Sequence, residues 1–153
     1  MRDQALMTAL WKIVANRIEE DALDTNKSCG VVSTYRLDQS DQANQSCLTG
    51  LQELAEGLGF EVSFLKGFWS EGEDRFEEQS LFLVADPGDS EDLFEFLQDA
   101  SDIHAQDGFL FRPEGEKITQ YHSEEGVEDL GEFHLGRFGD FYSKIKGKPF
   151  TFV

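Results

Sequence analysis

The stretch SLFLVADPGD, residues 80–89, decides the fold because it joins a strand, a turn and the start of a helix. Its first six residues are almost entirely apolar, which predicts a central strand that is covered on at least one face. The following DPGD forms a strong turn, and Asp89 or Ser90 is expected to cap the next helix. The predicted buried side of that helix consists of Leu93, Phe94, Phe96, Leu97, Ala100 and Ile103.

The segments before this stretch predict a hairpin partner, preceded by another helix and another strand. Residues 60–69 form a strand that should pair antiparallel with residues 80–85 across a charged turn at residues 71–74. Residues 30–36, GVVSTYR, are rich in β-branched and aromatic residues and predict a further strand. Between them lies a helix that should end at Gly59. Its predicted buried face consists of Cys47, Leu48, Leu51, Leu54, Ala55 and Leu58.

The segments after this stretch complete a recognisable order of elements. Asp107 and Gly108 are expected to close the second helix, and residues 109–112 predict a strand. The resulting order β-α-β-β-α-β predicts an α+β fold with a ferredoxin-like sandwich core, in which both helices pack on one face of an antiparallel sheet.

The two ends of the chain are expected to add to this core. Residues 1–27 predict an N-terminal amphipathic helix and linker, and residues 28–153 a single α+β domain with a C-terminal β extension. In that extension we expect a strand at 117–122 and a final strand at 149–153. Between these strands we expect a loop at 123–131 and a short helix around residues 138–145.

Net charge is the most unusual property of the chain. Its 31 acidic and 13 basic residues give a formal charge of −18, which repels nucleic-acid backbones and anionic membranes and attracts basic protein surfaces. The 14 phenylalanines argue against a disordered acidic chain. The two cysteines form no disulfide framework, and neither a secretory leader nor a membrane span is visible, so we expect a cytoplasmic protein.

The acidic residues are concentrated in one part of the chain. Residues 71–107 contain 13 acids and a single base, Arg75. The candidate partner-binding residues are Glu71, Glu73, Asp74, Glu77, Glu78, Asp89, Glu91, Asp92 and Glu95. A competing interpretation is that these acids are the solvated face of a helix whose apolar face is buried.

Catalytic chemistry has little support in the residue patterns. Two groups of acids could be considered for a divalent metal, and neither has the spacing of an EF-hand. They are Asp86, Asp89, Glu91 and Asp92, and the preceding Glu73, Asp74, Glu77 and Glu78. The sequence lacks a Cys-x-x-Cys pair, a His-Glu-x-x-His motif and a phosphate-binding glycine loop. We therefore leave the catalytic residues unassigned and predict no metal site and no cofactor.

Several stretches occur in an order that is similar to a known family. Residues 29–36 read CGVVSTYR and precede a helix that contains Asn44, and residues 78–84 read EQSLFLV. A helix and a short strand at 107–111 follow, and residues 142–152 read YSKIKGKPFTF. Over about residues 28–152 this order resembles a domain-of-unknown-function family of bacterial and tailed-phage proteins. The resemblance implies an α/β domain of bacterial or phage origin and carries no activity.

The leading hypothesis is a small phage or bacterial accessory protein without enzymatic activity. It would bind a protein partner with a basic surface through the acidic region 71–107, in one version by imitating nucleic acid. It would bind neither nucleic acid directly nor membranes, and its oligomeric state is left open. Two alternatives remain, namely a metal-dependent nuclease or hydrolase that uses clustered carboxylates, and a minor structural protein of a virion.

Overall fold

The computed structural model describes residues 10–13, 24–71, 74–135, 143–145 and 148–152 of the 153-residue chain. Within these ranges two helices and nine strands occur, so the fold is α+β as predicted. The helices are α1 (Asp41–Gly57) and α2 (Ser90–Ile103). The strands are β1 (Leu10–Ile13), β2 (Ser28–Ser33), β3 (Glu61–Glu71), β4 (Asp74–Ala85), β5 (Gly108–Arg112), β6 (Ile118–Ser123), β7 (Gly126–Leu135), β8 (Ser143–Ile145) and β9 (Lys148–Phe152).

Six of the strands form a continuous antiparallel sheet in the order β3-β4-β2-β5-β6-β7. The predicted hairpin is present as β3 and β4, whose pairing runs from Glu61 opposite Val84 to Glu71 opposite Asp74. Beyond β7 the sheet continues through β9 and β8, and β1 pairs with both β8 and β3. These three short strands close the sheet on itself.

The predicted ferredoxin-like sandwich does not describe this sheet as a whole. The elements from Ser28 to Arg112 follow the order β-α-β-β-α-β, but β5 is not an edge, because β6 and β7 extend the sheet beyond it. The extension gives the backbone groups of β5 a second set of partners. Residues 117–122 did predict a strand, and β6 confirms it.

The predicted N-terminal helix is wrong over Leu10–Ile13, which form β1. These residues pair antiparallel with β3, from Leu10 opposite Phe68 to Ile13 opposite Leu65. The sequence LWKI contains Trp11 and Ile13, which suit a strand, so sheet pairing overrides the helical spacing. The rest of the predicted helix and linker, residues 1–9 and 14–23, lies outside the described residues, and the linker ends in a turn at residues 24–27.

Two predictions in the C-terminal extension also need correction. The predicted loop at 123–131 contains most of β7, which pairs with β6 across the turn at Glu124 and Glu125. Acidic residues and glycines have low strand propensity, so the composition of β7 does not predict a strand. The predicted helix at 138–145 is replaced at residues 143–145 by β8, while residues 138–142 lie outside the described ranges. The final strand is confirmed as β9.

The main core lies between the two helices and one face of the sheet. Leu93 and Leu97 of α2 and Val32 of β2 are fully buried there. A Cβ on Gly30 would lie 2.8 Å from the carbonyl oxygen of Leu110 and would overlap the side chain of Leu97. Glycine at residue 30 therefore lets α2 pack directly against the backbone of β2.

The opposite face of the central strands is buried as well. All six residues of β2 are buried, and so are residues 80–85 of β4, which confirms the predicted central strand. Because successive side chains point to opposite faces, a strand buried throughout must be covered on both sides. The buried residues of this second face include Cys29, Val31, Phe82, Val84, Leu110 and Tyr121.

Some residues predicted to be buried are exposed. Leu54 and Leu58 are 58% and 60% exposed, because the buried stripe of α1 is Asn44, Leu48, Leu51 and Ala55 and Leu54 lies roughly a quarter turn from its centre. Ile103, the last residue of α2, is 77% exposed. Phe94 and Cys47 are half-buried.

Candidate functional site

The exposed face of α2 carries most of the acidic candidates that the structure describes. The helix buries Leu93, Phe96, Leu97, Ala100 and Ser101 against the sheet, so the residues between them face outward. The outward residues are Glu91, Asp92, Glu95, Gln98, Asp99, Asp102 and Ile103. Residues 86–107 contain eight acids and neither lysine nor arginine. We call the five carboxylates of Glu91, Asp92, Glu95, Asp99 and Asp102 the acidic face of α2.

The acidic face is not balanced by positive charge. Within the described ranges, Glu91, Asp92, Glu95 and Asp99 form no ion pair. Glu91 and Glu95, and likewise Glu95 and Asp99, are spaced by one helical turn, so their charges repel each other. These repulsions lower the stability of α2.

The start of α2 combines a favourable charge distribution with a weak cap. Glu91 and Asp92 lie in the first turn, where the helix dipole stabilises negative charge. Asp89 occupies the N-cap position as predicted, but its side chain forms no capping hydrogen bond. The preceding turn is instead tied to the β5–β6 turn, because the amide of Gly88 donates to Glu114 Oε1 at 2.6 Å.

The structure brings part of the predicted binding surface together. Asp89, Glu91, Asp92 and Glu95 lie at the beginning of α2 on exposed positions. Of the hairpin candidates, only the strand backbone of Glu71, Asp74, Glu77 and Glu78 is described, and Glu73 lies outside the described residues. Asp99 and Asp102 were not among the candidates, although they continue the same helical face at a spacing of three and four residues.

A carboxylate metal site is not assembled in the part of the chain that is described. There, no three His, Cys, Asp or Glu residues lie close enough together to hold a metal ion. The four residues Asp86, Asp89, Glu91 and Asp92 are close in sequence. They are all exposed, on the turn before α2 and on its first turn. The other candidate group, around Glu73, is only partly described.

A polar pocket that the sequence did not predict lies where α1 begins. It has a volume of about 410 Å³ and is lined by Thr34, Tyr35, Asp41, Asn44, Gln45, Leu48 and Gln79. We call it the α1 pocket. Its walls come from the loop after β2, the first two turns of α1 and β4, so no single stretch of sequence reveals it. Its volume falls in the range of small-ligand sites.

The loop at one side of the α1 pocket is held by hydrogen bonds from three directions. Asn44 Oδ1 accepts from the amide of Arg36 at 3.0 Å, and Asn44 Nδ2 donates to the Arg36 carbonyl at 3.1 Å. Gln106, just after α2, donates from Nε2 to the carbonyl of Tyr35 at 2.8 Å. Ser33 Oγ accepts from the Tyr35 amide at 3.0 Å. This wall of the pocket is therefore fixed in position.

The histidines provide the shifted pKa values of the described residues. The ring of His122 stacks on Phe109 at 5.2 Å and meets the edge of Phe94 at 4.9 Å. Burial lowers the pKa of His122 below its ordinary value of 6.5, and burial also lowers the pKa of His104. His122 is half-buried in this setting, whereas the side chain of His134 lies outside the described set.

Sequence comparisons give this chain no assigned relative. No protein-family model matches it, and no characterised protein matches it. The resemblance to the bacterial and phage family therefore stays a prediction. In the described ranges, neither α1 nor α2 has the length and hydropathy that a membrane-spanning helix requires.

Proposed function

We propose that the protein is a non-enzymatic binding module whose acidic face of α2 docks onto the basic surface of a partner protein. The main support is the arrangement of α2, in which one face is packed into the core and the other presents five exposed carboxylates without a base. Unpaired surface charge of one sign accelerates and orients association with a surface of opposite sign.

The composition of α2 supports this proposal over a merely solvated helix face. Exposed helix faces that serve only solubility usually intersperse lysine or arginine with the acids, since pairs of opposite charge one turn apart stabilise the helix. In α2 every exposed charged side chain is acidic. Pairs of opposite charge at these positions would make α2 more stable than the repelling acids do, which favours a role of the acids in binding.

The spacing of these charges favours imitation of nucleic acid within the same proposal. Five carboxylates on a helix of 14 residues correspond to roughly one charge per 4 Å of axis, at about 1.5 Å per residue. One strand of a DNA duplex carries a phosphate about every 3.4 Å along the axis. A groove lined by lysine and arginine for nucleic acid would therefore meet a similar density of negative charge on α2.

The finer features of fold and location belong to the same proposal. We propose that β2, α1, β3, β4, α2 and β5 form a ferredoxin-like unit to which the remaining strands are added. Their neighbour order β3-β4-β2-β5, with both helices packed in one core, supports this assignment. We also propose a cytoplasmic location in a bacterium or a phage-infected host, where the free cysteines Cys29 and Cys47 would remain reduced.

The experiment compares two variants of equal net charge. One carries Glu91→Gln, Asp92→Asn, Glu95→Gln and Asp99→Asn, and the control carries Glu56→Gln, Glu116→Gln, Glu124→Gln and Glu132→Gln, which alters exposed acids elsewhere. Each set removes four charges and changes the net charge from −18 to −14. The probe is a synthetic peptide of alternating lysine and arginine, and its affinity is measured by calorimetry at several salt concentrations.

We expect the α2 variant to bind the peptide about tenfold more weakly at low salt, because several charge pairs of up to about 1 kcal/mol each are lost. Its affinity should also depend less on salt. The control variant should stay close to the unmodified protein. Equal weakening in both variants would mean that only the overall charge attracts the peptide, and the proposal would be wrong.

A further inference from the structure

The α1 pocket has an uneven supply of hydrogen-bonding groups. Three of its N–H and O–H donors are engaged within the protein. Asn44 Nδ2 donates to the carbonyl of Arg36, and Gln45 Nε2 donates to Thr49 Oγ1 at 3.4 Å. Thr34 Oγ1 donates to the carbonyl of Asn44 at 3.5 Å. The second N–H of Asn44, the second N–H of Gln45 and the amide of Gln79 remain as donors beside the acceptors of the pocket.

The acceptors that remain lie on different walls of the pocket. The carboxylate of Asp41 forms no ion pair with the described residues, and Gln45 Oε1 and the lone pairs of Thr34 Oγ1 are left after the donations above. Gln79 on β4 adds a further amide. A group that satisfies these acceptors must offer several N–H donors at once.

The local electrostatic field favours a cation in the same place. The C-terminal end of α2 reaches the pocket loop through Gln106, and its last turn contains no basic residue, so the negative end of its dipole is not compensated. The N-terminal end of α1 would favour an anion, but Asp41 in its first turn opposes that effect. The net charge of −18 likewise favours a cation over an anion in the pocket.

We propose that the α1 pocket receives the guanidinium group of an arginine side chain from the basic partner, an inference that rests on the function proposed above. Guanidinium carries five N–H donors in a rigid plane, so it can reach Asp41 and the amides of Gln45 and Gln79 together. A lysine ammonium presents its three donors from a single point and matches separated acceptors less well. The pocket thus selects arginine, while the acidic face of α2 attracts positive charge in general.

The test uses the full chain, labelled with ¹⁵N and titrated with Nα-acetyl-arginine amide at constant ionic strength. We expect saturating shifts of the side-chain amide signals of Gln45 and Gln79. Nα-acetyl-lysine amide should bind about tenfold more weakly, since it loses charge-assisted hydrogen bonds.

Two matched variants locate the binding. Asp41→Asn removes a carboxylate from the first turn of α1, and Glu56→Gln removes an exposed carboxylate from the last turn of the same helix, outside the pocket. The first should weaken arginine binding by about tenfold, and the second should leave it unchanged.

The outcomes separate this inference from the proposed function. Shifts that fail to saturate, that are equal for arginine and lysine, or that weaken equally in both variants would overturn the arginine pocket. Binding of the basic peptide through α2 would be untouched by such a result. Conversely, a saturating arginine site with no contribution of α2 to peptide binding would leave the pocket and remove the proposed docking surface.

Discussion

The two helices pack in the same core, but their ends are specified in different ways. In α1, Ser40 Oγ accepts from the amide of Ala43 at 3.1 Å, and Gly59 adopts a φ of +94° just beyond the C-cap. In α2, Asp89 forms no side-chain cap, and the corresponding residue after the C-cap is Ala105, with a φ of +53°. Both helices nevertheless close with the same pair of terminal hydrogen bonds.

This difference shows that local sequence defines α1 whereas packing defines α2. The caps of α1 satisfy its terminal groups independently of the sheet. α2 lacks a side-chain N-cap and a glycine after its C-cap and carries repelling acids, yet it buries Leu93 and Leu97 completely. Contact with the sheet must therefore supply the stability that its ends and surface do not.

The largest effect should follow from weakening the packing of α2. We expect Leu97→Ala to lower the free energy of unfolding by about 2–5 kcal/mol, because the fully buried side chain leaves a cavity above β2. Leu54→Ala on α1 is the control, since Leu54 is 58% exposed, and it should change stability by less than about 0.5 kcal/mol. Urea unfolding followed by circular dichroism measures both. Similar losses in the two variants would contradict the view that α2 depends on packing.

A smaller effect should follow from exchanging the residues after the two C-caps. We expect Ala105→Gly to raise the free energy of unfolding by about 0.5–1 kcal/mol, because glycine adopts positive φ without strain. Gly59→Ala in α1 should lower it by about 1 kcal/mol for the same reason. Thermal unfolding of both variants measures the difference.

The control for this exchange is a glycine two residues away. Gly57→Ala lies inside α1, has open space for a Cβ and should increase stability through helix propensity. If Gly59→Ala were also stabilising, the positive φ of residue 59 would not be what closes α1.

These contrasts also explain which parts of the molecule the sequence could predict. The sequence predicts the glycine that closes α1 and the strand at residues 80–85, and the structure confirms both, because glycine geometry and apolar runs are local properties. β1 and β7 were missed, because their strand pairing depends on β3 and β6 and not on their own composition. The sequence predicts the end of α2 at Gly108, but the helix ends at Ile103. Ala105 adopts a positive φ, which is rare for alanine and which its sequence does not predict.

The candidate site follows the same division. The acidic face of α2 could be predicted because it repeats along one helix, and extending that repeat by one more turn would have included Asp99 and Asp102. The α1 pocket could not be predicted, since Thr34 reaches it from the loop after β2 and Gln79 from β4, which are far apart in sequence. The short spacing of Asp86, Asp89, Glu91 and Asp92 suggested a cluster, but a turn followed by a helix directs them outward.

The smallest expected effect concerns pH and the contact between α2 and β6. Phe94 of α2 packs against His122, and burial lowers the pKa of His122 below 6.5. The unfolded chain therefore binds a proton more readily than the folded one, so stability should fall as the pH decreases through 6.5 toward the lower folded pKa. Above that window His122 is neutral in both states and contributes no pH dependence.

His122→Phe keeps an aromatic ring against Phe94 and Phe109 and removes the titration, so its melting temperature should fall less between pH 7.5 and 5.5. His104→Asn is the comparison, because the pKa of His104 is lowered too but none of the described aromatic rings packs against it. Parallel curves for the unmodified protein and His122→Phe would show that the α2–β6 contact does not resist protonation. If the melting temperature of His122→Phe alone depends less on pH, the contact between Phe94 of α2 and His122 of β6 contributes to the loss of stability at acid pH.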